Sequence, residues 1–402
     1  MIEMGQQAKS YDAIIAGGGP AGLAAAETLA RRECSVLVLE QNHEIGSPIR
    51  TSGGSFIDEL DALGIPRGLH HPISRVRFVS PANATTYDYA QPRMCVMDVR
   101  GVFQFLAGRA VEAGASVRVA TKVEGPVFQY DRQDERVVGV RTRDALLGAR
   151  VVIDATGYRS VLLKQAGLDP GMRRFGVGAE YDMYAPHCDE REAVLLVGGE
   201  LAPSGYAWVF PWGRHRVRVG VGIIHPDSDA KPDAYLDALV AGADRFGVDL
   251  RGAQPLEHHA GLIPSECFAA RFAGDGILGV GDAAGQASSL LGEGIRWAIH
   301  AGKMAGDVAA GAIAKGDTSR EVLAEFERRW TKRYGKDLRL AHKINQRIAG
   351  WDDHKWDQRM EVLKLLTPDQ FVEALKTNLT GGWLLRFLAR NPRALAEAAG
   401  IL

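Results

Sequence analysis

The sequence predicts an α/β protein in which distant stretches of chain join one parallel sheet, a second domain is an antiparallel sheet, and the C-terminal part is helical. Three observations predict it. Residues 11–40, "YDAIIAGGGPAGLAAAETLARRECSVLVLE", run strand, glycine turn, helix, strand. Residues 276–310, "GILGVGDAAGQASSLLGEGIRWAIHAGKMAGDVAA", bring a strand and a helix again much later. Between them, segments such as "AVLLVGGEL" and "RVRVGVGII" alternate and are punctuated by turns, as half-buried antiparallel strands are.

Composition narrows the class. The 402 residues exceed what one typical core holds, so two or three domains are expected. Contents of 46% hydrophobic and 24% charged residues are those of a soluble globular protein. A net charge of -1 argues against a broad basic field for nucleic acid. Cys34, Cys95, Cys188 and Cys267 form no Cys-x-x-Cys pair, so neither a zinc cluster nor a disulfide framework is expected, and a reducing cytosol fits. No apolar run reaches the roughly 18 residues of a membrane span. The start, "MIEMGQQAKS", lacks the features of a signal peptide. The expectation is a cytoplasmic protein, with peripheral membrane contact left open.

The first element is the most informative. "DAIIAG" is a short apolar run suited to a buried parallel strand. Gly17, Gly19 and Gly22 follow as G-x-G-x-x-G. Gly17 allows the tight turn, Gly19 lets a diphosphate approach the backbone, and Gly22 lets helix pack on strand. The helix start supplies unpaired N–H groups to the diphosphate. "SVLVLE" is a second buried strand ending in Glu40, where a carboxylate accepts hydrogen bonds from ribose hydroxyls. An acid there disfavours a 2′-phosphate, leaving NAD or FAD rather than NADP.

The later segment decides for FAD. "ILGVG" is a strand that ends at Asp282, which suits the hydroxyls of a ribitol. "GEG" then precedes a helix from about Ile295, and Gly294 and Ile295 at its start suit the negative edge of a reduced flavin ring. Two intermediate pieces agree. "DVRGVFQFLAGRAVEAGASVRVATKV" is a helix and a strand, with Arg100 at the helix start, within reach of a phosphate, and Val123 at the end. "RVVIDATGYRSVLLKQAGL" is a strand, a turn at Thr156–Gly157 and a helix, and its Arg159 reads as a solvated charge. In "YAWVFP", Tyr206, Trp208 and Phe210 alternate onto one face of a strand, with Gly205, Ala207 and Val209 on the other. Such a face reads equally as core or as the wall of a cavity.

With these residues in view, the chain resembles the geranylgeranyl reductase family, within the hydroxylase-type FAD proteins. The resemblance is carried by "GGGPAG" with Glu40, "EIGSPIR", Asp98 with Arg100, "DATG", "PSGYAWVFP" and "GDAAGQASSLLGEGI". The most specific match is Pro203, Tyr206, Trp208, Phe210 and Pro211. The resemblance implies a Rossmann-like FAD domain from 1–70, 98–170 and 262–325, a substrate domain from 71–97 and 171–261, and a helical region from 326–402. It places Gly17, Gly19, Ala21, Gly22, Glu40, Arg50, Thr51, Ser52, Gly54, Arg100, Val123, Asp282, Gly294 and Ile295 against the cofactor. It makes Tyr206, Trp208 and Phe210 a wall for an isoprenoid chain. The implied reaction is reduction of isolated C=C bonds in a prenyl chain. The electron donor stays open among NAD(P)H, ferredoxin and a deazaflavin, the last two bringing a partner.

One position departs from the pattern. The family's archaeal lipid reductases carry Cys where this chain has Thr51, which points to a subgroup with a different substrate. A threonine hydroxyl is a far weaker acid than a thiol. Thr51 is therefore expected to position a water, and water to supply the proton. His187, His225, His258 and His259 fall in the substrate half and read as ordinary surface or hydrogen-bonded histidines. The rival activities are a flavin monooxygenase and a flavin halogenase of a hydrophobic small molecule. A third rival is a non-catalytic, flavin-loaded lipid-binding protein.

Overall fold

The computed structural model describes residues 10–131, 134–168, 171–392 and 394. The strand Ser10–Ala16 lies inside the larger sheet because its last four residues, Ala13 to Ala16, are apolar and fully buried. Val36–Leu39 and Leu146–Asp154 flank it in parallel, and Ser116–Arg118 and Ile277–Gly279 continue the sheet outward, also in parallel. An antiparallel meander, Val123–Asp131 and Asp134–Thr142 leading into Leu146–Asp154, and the short Ala273–Gly274 complete eight strands. Helices Pro20–Ala30 and Ile295–Lys315 cover the sheet side by side. They touch so closely that a Cβ on Gly302 would stand 2.1 Å from the Ala21 carbonyl oxygen.

The second sheet has seven strands in the order Gln254–Pro264, Phe175–Tyr184, Arg216–His225, Tyr206–Gly213, Glu192–Leu196, Arg75–Val79, Ala84–Asp88. Its pairs are antiparallel except Glu192–Leu196 with Arg75–Val79. Alternation sorts its two faces. Ala179, Val194, Val209, Val219 and Val221 face a core closed by Leu236 and Leu239 of helix Pro232–Ala241. Trp208 and Phe210 face the other way, towards Phe371 and Leu375 of helix Pro368–Leu375. That helix starts in a capping box, with Thr367 capping and Gln370 returning the bond.

Two boundaries differ from the sequence-based expectation. Gly54–Phe56, His70–Ile73 and Met94–Met97 form a three-stranded sheet of their own. A cut at 70/71 would pass through it and part Gly54–Phe56 from Met94–Met97, which is buried throughout and binds a strand on each edge. The region after 325 is also divided between cores. Phe326, Trp330 and Leu338 of helix Glu325–Ile348 enter the core of the parallel-sheet domain. Phe371, Val372 and Leu375 close over the aromatic face. The charged face of Glu325–Ile348 is solvated, as its composition suggests, with Arg328 and Arg329 paired to Glu325 at the surface.

Candidate functional site

A cleft of about 300 Å³ opens at the C-terminal ends of strands Ser10–Ala16 and Ile277–Gly279. Its floor is backbone. Gly17 turns with φ +115°, and a Cβ there would lie 2.1 Å from the Ala155 carbonyl oxygen. Gly19 and Ala21 line the cleft at the start of helix Pro20–Ala30, whose first N–H groups have no intrahelical partner. Gly22 does not line it. A Cβ on Gly22 would meet the Gly17 carbonyl oxygen at 2.2 Å, so this glycine lets helix pack on strand.

Two acids face the cleft from strand ends. Glu40 accepts from the Gly18 N–H through Oε2 and from the Asn42 N–H through Oε1, each at 2.8 Å. Asp282 is half-buried, and burial lifts its pKa to about 6. Among the described residues, no side-chain or backbone donor satisfies its carboxylate. Val123, Thr156 and Gly157 also line the cleft, and Arg159 stands exposed beside it. Asp154, the first residue of "DATG", is directed elsewhere. It accepts from the Thr156 hydroxyl at 2.6 Å and the Leu162 N–H at 2.8 Å, tying the turn to helix Val161–Gln165.

Arg100, expected against the cofactor, stands one residue back from the cleft. It does not line the cleft; its guanidinium pairs with Glu44, which does.

A second cavity, of about 420 Å³, adjoins the first. Tyr206, Trp208 and Phe210 form one wall, and Phe371, Leu375 and Phe387 lie on the helical side. Six residues line both spaces: Arg50, Thr51, Ile263, Gly292, Gly294 and Ile295. The turn-rich loop "SPIRTSGG" thus runs along the junction, with its single cation, Arg50, at the boundary. Ser52 and Gly54, expected against the cofactor, line the apolar cavity instead. Arg218 ties this stretch down, donating to the Ser52 carbonyl at 2.7 Å and the Met97 carbonyl at 3.0 Å.

Trp208 lies flat against its sheet only because Gly220 has no side chain. A Cβ there would come 2.3 Å from the indole. The Trp208 indole N–H donates to Glu180 Oε2 at 2.8 Å. Glu180 Oε1 is 3.0 Å from His259 Nδ1, and His259 Nε2 is 3.1 Å from Glu257. His259 is thus a hydrogen-bonded histidine, held between two carboxylates. It is buried and faces the cavity, whereas His187 and His258 are exposed and His225 pairs loosely with Asp229. Glu293, within "GEG", is also buried against the cavity. Burial pushes its pKa up, although Arg296 stands 2.8 Å away and opposes the shift.

Sequence reasoning missed two features. One is Glu180 with His259, signalled by "GVGAE" and "HAGLI". Their alternation puts Gly176, Gly178 and Glu180 on one face of a strand, and His259, Gly261 and Ile263 on one face of its neighbour. The other is the helical roof. Trp356, Phe371, Trp383 and Phe387 come from beyond residue 350. The one-sided apolar pattern of "GWLLRFLAR" is their signal.

Comparisons with known proteins agree with this geometry. The family model "Geranylgeranyl reductase catalytic domain" matches residues 175–261, and "FAD dependent oxidoreductase" matches residues 12–174. The chain is 33% identical to digeranylgeranylglycerophospholipid reductase 2 of Methanothermobacter thermautotrophicus, over 88% of this chain and 92% of that one. It is 31% identical to the Methanopyrus kandleri protein of the same name, over 98% and 99%. Among solved structures, a geranylgeranyl bacteriochlorophyll reductase-like protein from Thermoplasma acidophilum superposes with a TM-score of 0.85 at 23% identity, covering 98% of this chain and 100% of that one. A flavin-dependent brominase shares the fold more distantly, with a TM-score of 0.66 at 18% identity over 92% and 98%.

Proposed function

The chain belongs to the geranylgeranyl reductase family of FAD-dependent oxidoreductases, and from that premise we propose that it reduces isolated C=C bonds in a geranylgeranyl-type chain of an isoprenoid lipid. One observation carries the reading: an apolar cavity with an aromatic wall abuts the dinucleotide cleft along six shared residues. Bound and reduced, the flavin supplies a hydride. The chain's residues bind, orient and keep the reaction dry. The N–H groups at Gly19–Ala21 hold the diphosphate, Glu40 the ribose and Asp282 the ribitol, and the helix start at Gly294–Ile295 meets the ring edge. Arg50 and Thr51, which line both spaces, would face the ring. Tyr206, Trp208 and Phe210 hold the prenyl chain in extended contact, which keeps one double bond at the junction.

Electrons reach the flavin from a dissociable donor: ferredoxin, a deazaflavin or NAD(P)H. No helix among the described residues is long and apolar enough to cross a membrane. Helix Gly382–Arg390 supplies Trp383, Leu384, Phe387 and Leu388 to the cavity while Leu385 is 71% exposed. We read this helix as the peripheral contact with the lipid surface from which the chain enters, on the cytoplasmic side.

Anaerobic single-turnover reoxidation tests the function. Protein reduced beforehand should be reoxidised stoichiometrically by geranylgeranyl lipid, with loss of alkene and without oxygen. Reoxidation only when oxygen is admitted would replace the reading with a monooxygenase or halogenase.

A further inference from the structure

Adding hydrogen across an isolated double bond consumes a proton as well as a hydride, and the apolar cavity must admit one without filling with water. Among the described residues, the seven-stranded sheet presents two ionisable groups to the cavity besides the Tyr206 phenol: Glu180 and His259. Burial raises the Tyr206 pKa far above the usual phenol value, and its hydroxyl donates to the Leu291 carbonyl at 2.5 Å. Glu180 and His259 face each other across paired strands, Phe175–Tyr184 and Gln254–Pro264, in direct register. Their contact of 3.0 Å continues at 3.1 Å from His259 to Glu257, whose side chain is half in solvent. A continuous hydrogen-bonded line therefore runs from the surface through a buried imidazole to a buried carboxyl on the cavity wall.

We propose that Glu180 donates the proton that alkene reduction consumes, and that His259, held between Glu180 and Glu257, recharges it from solvent. The proposal rests on the reductase reading and names the proton path for that site. In the step, the π pair of the double bond forms a C–H bond with the Glu180 proton as the O–H bond breaks. The neighbouring carbon takes the hydride from the reduced flavin, which is thereby oxidised by two electrons. Glu180 is left as a carboxylate, and the His259 imidazolium returns a proton to it. Trp208, donating to Glu180 Oε2, fixes the carboxyl beside the prenyl wall and leaves Oε1 to His259.

The electrostatics suit a proton reserve. Burial by itself lowers the His259 pKa, but the hydrogen bonds to Glu180 and Glu257 outweigh it, and the net shift is upward. Arg218 opposes this from Arg216–His225, the strand on the far side of Glu180's own. Its charge is partly absorbed by Asp182, which also pairs with Arg216. A rate that depends on the imidazolium is full at low pH and falls as pH rises through this raised value. Glu293 is the competing acid, since it too is buried at the cavity. Its contact is the Arg296 cation, and no hydrogen-bonded line leads from it to solvent among the described residues.

The test is anaerobic stopped-flow of flavin-loaded, pre-reduced protein with detergent-solubilised geranylgeraniol, geranylgeranyl diphosphate and a digeranylgeranylglycerol phospholipid. Glu180→Gln should slow reoxidation at least about 100-fold, the usual weight of a general acid, with flavin content unchanged. Glu180→Asp should recover part of the rate. The wild-type solvent deuterium isotope effect should disappear in Glu180→Gln, and His259→Gln should move or abolish the high-pH limb of the rate. A purely structural Glu180, holding only Trp208, would leave the isotope effect and pH profile in place. That outcome, or a large loss confined to Glu293→Gln, would overturn the proposal. No reoxidation of wild-type protein by any of the three lipids would remove the reductase reading and the proposal with it. Nitrogen-15 NMR of the histidines provides a readout independent of turnover. His259 should stay protonated above the pH where ordinary histidines lose their charge, and should lose this in Glu180→Gln. A neutral His259 ring at pH 6 would overturn the relay.

Discussion

Backbone lines the dinucleotide cleft, where Gly17, Gly18, Gly19 and the start of helix Pro20–Ala30 present N–H groups and two acids stand at strand ends. Side chains line the apolar cavity, where the aromatics of strand Tyr206–Gly213 meet helices that follow 150 or so residues later in the sequence. At Gly17 this backbone surface tolerates almost no change, because an added atom meets the Ala155 main chain, which cannot turn aside. A surface of side chains can be recut one residue at a time, which changes what fits while the fold survives. The shared residues, Arg50 and Thr51 among them, are where the backbone-lined half meets the half lined by side chains.

Substitutions can break or sharpen this contrast. The largest effect is expected at Gly17. Gly17→Val puts a branched side chain at φ +115° and 2.1 Å from a carbonyl oxygen. It should cost more than about 4 kcal/mol and give protein without flavin, seen in the absorbance ratio and thermal melt. A soluble, flavin-loaded variant would show that the cleft adapts as a side-chain cavity does. Glu40→Ala removes the proposed ribose acceptor and frees the Gly18 N–H. FAD affinity should fall by about 1.5–3 kcal/mol, measured by fluorescence titration. Unchanged affinity would make Glu40 a loop tie only.

On the cavity side, Gly220→Ala forces the Trp208 indole away from the sheet and from Glu180. It should cost about 1–3 kcal/mol of stability and change which double bonds are reduced, with flavin content retained. Product analysis by mass spectrometry beside flavin quantitation would show whether the two halves vary separately.

Asp282 tests the cleft as an acceptor held ready. Its pKa rises from 3.8 to about 6 through burial. Because the folded value lies above the unfolded one, its contribution to stability is full below about pH 4 and is lost as pH rises through about 6. Flavin-free Asp282→Asn should therefore be more stable than flavin-free wild type at pH 7, by up to about 3 kcal/mol, and no more stable at pH 4. The same variant should bind FAD more weakly. Equal melting temperatures at both pH values would show that the carboxylate is not strained in the free protein. The smallest effect belongs to Thr51. If it only positions a group at the junction, Thr51→Ala should slow alkene-dependent reoxidation about tenfold, the weight of one neutral hydrogen bond. A loss as large as that expected for Glu180→Gln would move the acid chemistry to the junction itself.

The sequence by itself determined the cleft. Its parts are local: strand, glycines, helix and acid lie within residues 11–40, and a strand and helix start within 276–295. Backbone geometry and spacing within one supersecondary unit leave little for tertiary context to decide. The alternation of Tyr206, Trp208 and Phe210 likewise determined that they share a face, since the period of a strand is two. Tertiary structure decided what that face looks at. It brought helices from beyond residue 350 over the wall, turned Arg100 to Glu44, and moved Ser52 and Gly54 to the apolar side. It also set His259 opposite Glu180, 79 residues away in the chain. A histidine looks the same in sequence whether it is solvated or held between two carboxylates. The difference lies in strand register and burial, which exist only once the sheet has formed.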